Sequence, residues 1–547
     1  MPSTAHSDKL FPIISVGGAL ALFAALQLMA LRMTGGHFEY PLDDVYIHLA
    51  MAEQIWSGRY GVNASEYSSA ASSILWPLLL VPFPSAAVQR MLPLFWNVVA
   101  LVLAAWLWGR ILVAAGWSKG RRRLFGFVFA AIGPIATLMV STAYVGMEHT
   151  AHIAATLAIL YGLLRYLQGQ PNWPILMAGI FLAPVLRFEG LAFAILAGLV
   201  LLLTGERRRG LLALALAVVP VVLYTGFLVG IGLEPLPSSI QAKLALHGAE
   251  YSGLLGRTMT RLLININQAG GAVAGALTLL ILVFLIVSKP LRESPLRWLA
   301  LAVFGAGCAH LLFGQFGWLN RYEGYILTLL TAGFLVLLPK VFTALPSPAV
   351  GVLGLAPLAI LSGIYLPYTV REFPADSRAI YSQQHEMARF AKDFLRAPVA
   401  VNDLGWVAWN NPDYVLDLWG LASSEARHTR LEDPQPGWAG PLAIRHDVPA
   451  AMIYDTWLKQ AVGPDWVKLG ELVLKERRGF LGGYKVSFYA TDPKYVPKVR
   501  KAIDAWVPTL YPMVYFVYAD QPKAEGGSGQ TGNEAGTETG NEAGGGN

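Results

Sequence analysis

Two adjacent carboxylates stand where the first long apolar stretch of this sequence ends. Asp43 and Asp44 begin a segment in which apolar residues recur at helical spacing from Val45 to Trp56, before Gly58. Aspartate is a common helix cap, but capping needs only one side chain. The second carboxylate is left for chemistry, and a carboxylate beside a membrane can serve as a general base. The periodicity predicts an amphipathic helix lying flat on the membrane surface.

Further charged residues lie in short loops or at the ends of other apolar stretches. Ionisable groups are costly at such positions and are functional candidates by default. The acidic candidates and a neighbouring histidine are Glu148, His149 and Glu189. The basic candidates are Arg187, Lys243 and Arg321. Interfacial snorkelling is the common alternative for each of the three cations.

The composition places these residues in a membrane protein. Of 547 residues, 55% are hydrophobic and 14% are charged, whereas about 25% are charged in an ordinary soluble domain. The single cysteine, Cys308, excludes an intramolecular disulfide and a thiolate zinc site. The net charge of +6 does not indicate nucleic-acid binding, because the basic residues lie largely in short loops between apolar stretches.

Stretches long enough to cross a bilayer, about 17–25 residues each, recur along residues 1–370. They lie near 11–32, 89–114, 124–145, 151–168, 210–231, 270–288, 297–314, 323–339 and 348–367. Two shorter stretches, 173–187 and 190–204, meet at Arg187, so about eleven spans are expected. Lys and Arg concentrate in alternate loops, which predicts a cytoplasmic N-terminus and an extracytoplasmic chain after residue 370.

The chain changes character after residue 370. Short strand-like runs at 399–402, 414–416, 451–454, 468–474 and 485–489 alternate with Gly, Pro, Asn and Asp, and helical segments near 376–396 and 495–506 flank them. Residues 371–520 are therefore predicted to form an α/β domain. Residues 521–547 contain almost nothing to bury and are predicted to be a disordered tail.

The loop motifs, taken in order, resemble the GT-C superfamily of integral-membrane glycosyltransferases. The first loop reads Asp-Asp-x-Tyr-Ile-x-x-x-x-Ala-Glu, then Gly-x-Tyr-Gly-x-Asn, a Ser-rich stretch and Leu-Trp-Pro. Later loops carry Gly-Met-Glu at 146–148, Arg-Phe-Glu-Gly at 187–190, Leu-Pro-Ser-Ser at 236–239 and Asn-Arg-Tyr at 320–322. The pattern is most similar to arabinofuranosyltransferase-like proteins. Phe188 and Ser238-Ser239 replace the usual Pro and Asn-Thr, which leaves the donor sugar and the acceptor open.

The resemblance implies a GT-C-like helical membrane module with an extracytoplasmic α/β domain, in a bacterial inner membrane. It implies that a sugar passes with inversion from a polyprenyl-phosphate donor to an envelope glycan, lipid or protein acceptor on the outer face. Asp43 matches the general base of the family, which removes the acceptor proton. Asp44 would orient the acceptor or share a divalent cation.

Roles for the other candidates also follow from the resemblance. Cations and an aromatic residue would hold the carrier phosphate and stabilise its charge as it leaves; they are Arg187, Lys243, Arg321 and Tyr322. The residues expected to bind the sugar are Glu148, His149 and Glu189. Asp44, Glu148 and His149 are candidate ligands for Mg²⁺ or Mn²⁺, and metal dependence stays open.

Two other classes of protein compete with this interpretation. A polytopic transporter or lipid flippase also has many spans and interior charges, but it usually holds its ions near the bilayer midplane. A non-catalytic assembly protein would use the outer domain for docking, and it leaves the paired carboxylates unexplained. The concentration of acids in the outer loops favours the enzyme.

Overall fold

Two architectures follow each other along the chain. The computed structural model describes residues 4–84, 87–245, 253–432 and 434–520. Apolar helices make up roughly the first two thirds, and a six-stranded sheet with short helices makes up the rest. The predicted tail, 521–547, lies outside the described residues.

The first part is a bundle of apolar helices. Within the described ranges, nine helical segments are long and apolar enough to cross a membrane: Asp8–Met33, Gln89–Ala114, Gly120–Val145, His149–Leu167, Arg207–Gly230, Ala269–Val287, Leu296–Phe313, Gly324–Val341 and Ser347–Leu395. Two shorter apolar helices are Trp173–Leu186 and Gly190–Leu203. The chain is a multi-pass membrane protein, and each predicted span coincides with one of these helices.

The individual helices of the bundle are α1 Thr4–Met33, α2 Asp44–Trp56, α3 Trp76–Leu79, α4 Leu92–Ala114, α5 Arg123–Ala136, α6 Met139–Val145, α7 His149–Leu167, α8 Trp173–Leu186, α9 Gly190–Leu203, α10 Arg207–Gly230, α11 Ser238–Ala245, α12 Leu254–Asn267, α13 Ala269–Val287, α14 Lys289–Arg292, α15 Leu296–Phe313, α16 Gly324–Val341 and α17 Ser347–Ser382. The helices of the second part are α18 Gln384–Arg389, α19 Gly405–Ala408, α20 Ser424–Glu432, α21 Ala439–Arg445, α22 Asp455–Leu458 and α23 Val496–Trp506. A π-helical turn, Phe390–Leu395, follows α18. Short 3₁₀ turns are Gln89–Met91, Gly120–Arg122, Lys459–Ala461, Pro493–Tyr495 and Val507–Thr509.

The sheet of the C-terminal domain is mixed. Its strands are β1 Val399–Val401, β2 Val415–Asp417, β3 Ala450–Ile453, β4 Val467–Leu474, β5 Lys485–Ala490 and β6 Val514–Tyr518, in the order β2-β1-β3-β5-β4-β6. β1 is parallel to β2 and β3, and the other pairs are antiparallel. The α/β domain and its first five strands are confirmed. The edge strand β6, in which two exposed residues alternate with buried or partly buried ones, was not predicted.

A continuous helix joins the two parts. α17 begins inside the bundle, runs past residue 370 and ends at Ser382, beside the sheet domain. The boundary predicted between residues 370 and 371 therefore falls within a helix. α17 thus connects the bundle to the sheet domain without an intervening loop.

The helix α2 has different surroundings from those expected. The helix itself is confirmed, but every residue from Val45 to Glu53 is buried. It packs beneath α19 of the C-terminal domain, and only its end at Trp56 is strongly exposed. That the helix lies flat on the membrane surface stays a prediction, but protein also covers its polar face, and helical periodicity does not indicate what covers that face.

Candidate active site

The carboxylate of Asp43 joins the first loop to the C-terminal domain. Its Oδ2 accepts a hydrogen bond of 2.7 Å from the Gly405 amide, and its Oδ1 accepts one of 2.9 Å from the Trp406 amide. Asp43 makes no side-chain capping bond within α2, so the capping alternative is not observed. Burial and the neighbouring Asp403 carboxylate raise the pKa of Asp43 well above its ordinary value. A carboxylate has about four lone-pair sites, and two remain for another donor.

Other residues of the first loop also contact this domain. Glu39 accepts a hydrogen bond from the Trp406 indole at 3.1 Å. Glu53 accepts one from the Asn410 amide at 3.0 Å. The Asn63 side chain pairs with both backbone groups of β2 residue Val415. The domain is thus held to the loop at points from Glu39 to Asn63, and Asp43 lies among them.

Asp44 faces the opposite way and pairs with Arg321. The Arg321 Nη2 donates to Asp44 Oδ2 at 2.7 Å and to the Tyr322 hydroxyl at 3.1 Å. Arg321 is only 4% exposed. Its Nε and Nη1 have no hydrogen-bond partner among the described residues. Leaving a buried polar group without a hydrogen bond costs about 1–3 kcal/mol. These two nitrogens are therefore well suited to donate to an acceptor on a ligand.

A left-handed stretch of backbone leads into Arg321. Gly317, Trp318, Leu319 and Asn320 have φ values of +97°, +49°, +59° and +52°. Residues with a β-carbon pay about 1–2 kcal/mol each in this conformation. Such strain concentrates at functional sites. Nothing in the sequence near Trp318 and Leu319 indicates it, so this feature was missed.

Arg187 organises the acidic residues of the site. Its Nη1 donates to Glu148 Oε1 at 2.7 Å and to His149 Nε2 at 2.9 Å, and its Nη2 donates to Glu189 Oε1 at 2.8 Å. The Tyr322 ring lies 5.4 Å from the Arg187 guanidinium and 5.1 Å from that of Arg321. The ring therefore links the two arginines, since a cation within about 6 Å of an aromatic face is attracted to it.

Glu148 reaches this network through a turn at Gly146. Gly146 has a φ of +84°, and a β-carbon there would lie 2.5 Å from the Tyr40 ring, so only glycine fits. Glu148 is 0% exposed, and Ser72 donates to its Oε1 at 2.7 Å. Burial alone would raise the pKa of Glu148, but Arg187 and the other donors hold it below its ordinary value.

His48 belongs to the same site and was not predicted as a site residue. It lies one helical turn after Asp44 on α2 and is 2% exposed. Its Nε2 is 3.9 Å from Glu148 Oε2. Residues four apart lie on the same helix face, so the spacing from Asp44 was the available signal. Burial lowers the pKa of His48 below its ordinary value and favours the neutral ring.

The loop carrying Lys243 contacts the Ser-rich stretch of the first loop. The Ser238 amide donates to Ser69 Oγ at 3.0 Å, and Ser239 Oγ donates to the Ala71 carbonyl at 3.1 Å. These contacts hold the beginning of α11, the helix that contains Lys243. The Lys243 side chain lies outside the described residues, and its predicted phosphate contact stays a prediction.

The predicted metal ligands do not converge. Asp44 faces Arg321, whereas Glu148 and His149 both face the Arg187 guanidinium. In the part of the chain that the structure describes, no group of three or more His, Cys, Asp or Glu side chains is arranged to hold a metal ion. These residues therefore do not fit a Mg²⁺ or Mn²⁺ site in the observed arrangement, and metal dependence stays open.

Comparison with known proteins gives one match to a family and several to solved structures. Residues 377–489, from the end of α17 to β5, match a family described as a domain of unknown function (DUF8728). No curated protein matches the chain.

The solved structures are similar over most of the chain at low sequence identity. Apo ArnT from Cupriavidus metallidurans is 15% identical, with 88% of this chain and 99% of that chain covered and a TM-score of 0.46. The same protein bound to undecaprenyl phosphate is 13% identical, with 87% and 98% covered and a TM-score of 0.40. The apo oligosaccharyltransferase of Archaeoglobus fulgidus is 13% identical, with 87% and 74% covered and a TM-score of 0.43.

Proposed function

We propose that this chain is a membrane glycosyltransferase that moves a sugar from a polyprenyl-phosphate donor to a glycan, lipid or protein acceptor on the outer face of a bacterial inner membrane. The observation that carries the proposal is the continuous network from Asp44 through Arg321 and Tyr322 to Arg187. Seven of the nine residues predicted for this activity belong to it: Asp44, Arg321, Tyr322, Arg187, Glu148, His149 and Glu189. They come from four separate loops or helix ends.

Arg321 is the residue best suited to bind the carrier phosphate. Among the described residues its charge is paired with one carboxylate, Asp44, and its Nε and Nη1 have no hydrogen-bond partner. Phosphate oxygens are strong acceptors, and guanidinium is well matched to them. Arg187 is engaged by Glu148, His149 and Glu189. Its role in the proposal is to position these three residues.

Asp43 is the proposed general base. Its carboxylate is oriented by the amides of Gly405 and Trp406, and its raised pKa makes it a stronger base once ionised. In the proposed step, an acceptor hydroxyl gives its proton to Asp43 while its oxygen bonds to the anomeric carbon. The bond from that carbon to the phosphate oxygen breaks, and the phosphate leaves with its electron pair. The positive charge of Arg321 stabilises the developing negative charge.

The position of the charges supports an enzyme over a transporter. Glu148 and Arg321 lie between helices, directly outside segments long and apolar enough to span a membrane, and Arg187 lies between the two shorter apolar helices. A transporter usually holds such groups near the bilayer midplane, on broken helices. A donor phosphate at the membrane surface would instead meet these residues at the helix ends.

The deciding experiment is sugar transfer by the purified protein in nanodiscs. Undecaprenyl phosphate carrying arabinose, glucose or mannose is supplied with an extract of envelope glycans, and new glycosidic linkages are identified by mass spectrometry. In parallel, lipid-linked sugars are compared in cells with and without the protein. The proposal predicts a new linkage in one assay and accumulation of one donor in the other. Movement of a lipid-linked sugar across vesicles without a new linkage would favour the flippase.

A further inference from the structure

His48 and Glu148 face each other across a gap in the buried polar network. We infer that His48 Nε2 and Glu148 Oε2 together bind one hydroxyl group of a sugar substrate. The inference rests on the proposed function and adds a subsite that its mechanism does not use. It assigns a substrate contact to His48 and to the second oxygen of Glu148.

The gap has a size that a single hydroxyl oxygen can bridge. The two atoms are 3.9 Å apart, which exceeds the roughly 2.7–3.2 Å of a direct hydrogen bond. A hydroxyl is both a donor and an acceptor. It can accept a hydrogen bond from His48 Nε2–H and donate one to Glu148 Oε2 at the same time. A methyl group could do neither, and a second carboxylate could only accept from His48.

Both protein groups are buried and incompletely satisfied. Glu148 Oε2 has no hydrogen-bond partner among the described residues, its distance from His48 Nε2 is longer than a hydrogen bond, and both side chains are almost fully enclosed. Most buried polar atoms in proteins have a partner. An ionised carboxylate oxygen left without one is especially costly. A ligand hydroxyl removes this cost for Glu148 and uses the histidine as the donor.

The geometry of Glu148 fixes where that hydroxyl lies. Arg187 and Ser72 both donate to Glu148 Oε1, which leaves Oε2 turned toward His48. His48 is held on the buried face of α2, one turn from Asp44, and Asp44 binds Arg321. The subsite therefore adjoins the proposed phosphate site through Asp44.

The hydroxyl has two possible sources, the donor sugar and the acceptor. The same pair of groups recognises either, so the test needs one arm for each. Substituting His48 by Ala removes the donor, and substituting it by Gln restores an N–H near the position of Nε2. Gln54→Ala is the matched control, because Gln54 is a partly buried polar residue on the same helix with no role in the site.

In the first arm, nanodisc-embedded protein is titrated with undecaprenyl phosphate, bare or carrying arabinose, glucose or mannose, and bound lipid is counted by native mass spectrometry. If the hydroxyl belongs to the donor, His48→Ala loses about tenfold in affinity for the preferred sugar-bearing lipid. Its affinity for bare undecaprenyl phosphate stays unchanged. His48→Gln recovers most of the loss, and Gln54→Ala behaves as wild type.

In the second arm, transfer is measured with methyl glycosides of the same sugars as acceptors. If the hydroxyl belongs to the acceptor, His48→Ala raises the KM for the methyl glycoside about tenfold and leaves the donor affinity unchanged. A folded His48→Ala protein, checked by thermal melting, with wild-type behaviour in both arms overturns the inference. A wild-type protein that distinguishes no sugar-bearing lipid from the bare one and transfers no sugar overturns the proposed function instead.

Discussion

Asp43 Oδ2 lies 2.7 Å from the amide nitrogen of Gly405, a residue 362 positions further along the chain. The paired aspartates of the first loop therefore meet residues 402–405 of the C-terminal domain, which read Asn-Asp-Leu-Gly. The side chain proposed as the base is oriented by a domain outside the helical bundle. Four predictions about the site and its interface, and one about topology, test this arrangement.

Gly405→Ala should disturb the contact between Asp43 and the C-terminal domain while leaving Asp43 itself unsubstituted. A β-carbon at Gly405 would lie 2.1 Å from the Asp43 carbonyl oxygen and 2.8 Å from its Oδ2. Overpacking of this kind costs about 1–3 kcal/mol, so we expect slower sugar transfer and a lower melting temperature. Gly440→Ala is the control in the same domain, because its β-carbon would meet its nearest neighbour at 3.5 Å. Equal activity of the two variants would mean that docking does not orient the base.

Asp43→Asn should remove the general base while keeping the size of the side chain. We expect turnover to fall by about 10²–10⁴-fold with donor binding largely retained. Kinetics and donor binding are measured on the same nanodisc sample, and folding is checked by thermal melting. Asp44→Asn should weaken donor binding more than turnover, because it releases Arg321. Near-normal transfer by folded Asp43→Asn would remove Asp43 as the base.

Arg321→Ala should weaken binding of undecaprenyl phosphate by about tenfold to a hundredfold, since charge-assisted hydrogen bonds contribute about 1.5–3 kcal/mol. Arg321→Lys should recover the charge but not the fork of donors, and should bind at an intermediate level. Binding is measured by titration in nanodiscs. Lys340→Ala, at the end of α16 away from the site, is the control. Unchanged binding by Arg321→Ala would make Arg321 a structural partner of Asp44 alone.

The stability of the domain interface should depend on the protonation of Asp403. Burial raises the pKa of Asp403 to about 6, so the folded state binds this proton more tightly than the unfolded state does. The stabilisation of the folded state by Asp403 is complete below the ordinary pKa of an aspartate, near 3.8. It is lost as the pH rises through about 6. Thermal melting of wild type and Asp403→Asn is compared across this range.

We expect the difference in unfolding free energy between the two proteins to change by up to about 3 kcal/mol over that interval. Asp403→Asn should gain stability relative to wild type as the pH rises. A constant difference across the interval would contradict the raised pKa.

A cytoplasm-dependent reporter fused after residue 520 should be inactive, because the positive-inside pattern places the domain outside. The same reporter in the loop after α4, beside Lys119, should be active. The contact of Asp43 with Gly405 requires the first loop and the domain to lie on the same side. Strong reporter activity after residue 520 would place both the first loop and the C-terminal domain on the cytoplasmic side.

The local pattern of the sequence was sufficient to predict the spans and the first five strands, and it singled out most of the residues that meet in the candidate site. Hydropathy averaged over about twenty residues predicts which segments cross the membrane. Short β-prone segments separated by Gly, Pro and Asn predict the strands. Arg187 and Arg321 stood out because charge at the end of an apolar stretch is costly. These signals need no knowledge of neighbours in space.

Tertiary structure alone decided which of these residues meet. His48 and Glu148 are far apart in the sequence, and only the packing of α2 against the bundle brings them within 3.9 Å. The packing of α19 against α2 buries the polar face of α2 beneath Trp406 and its neighbours. The amphipathic pattern of a helix is the same whether lipid headgroups or a protein domain cover its polar face. What covers the polar face of α2 is therefore decided by residues more than 300 positions away in the sequence.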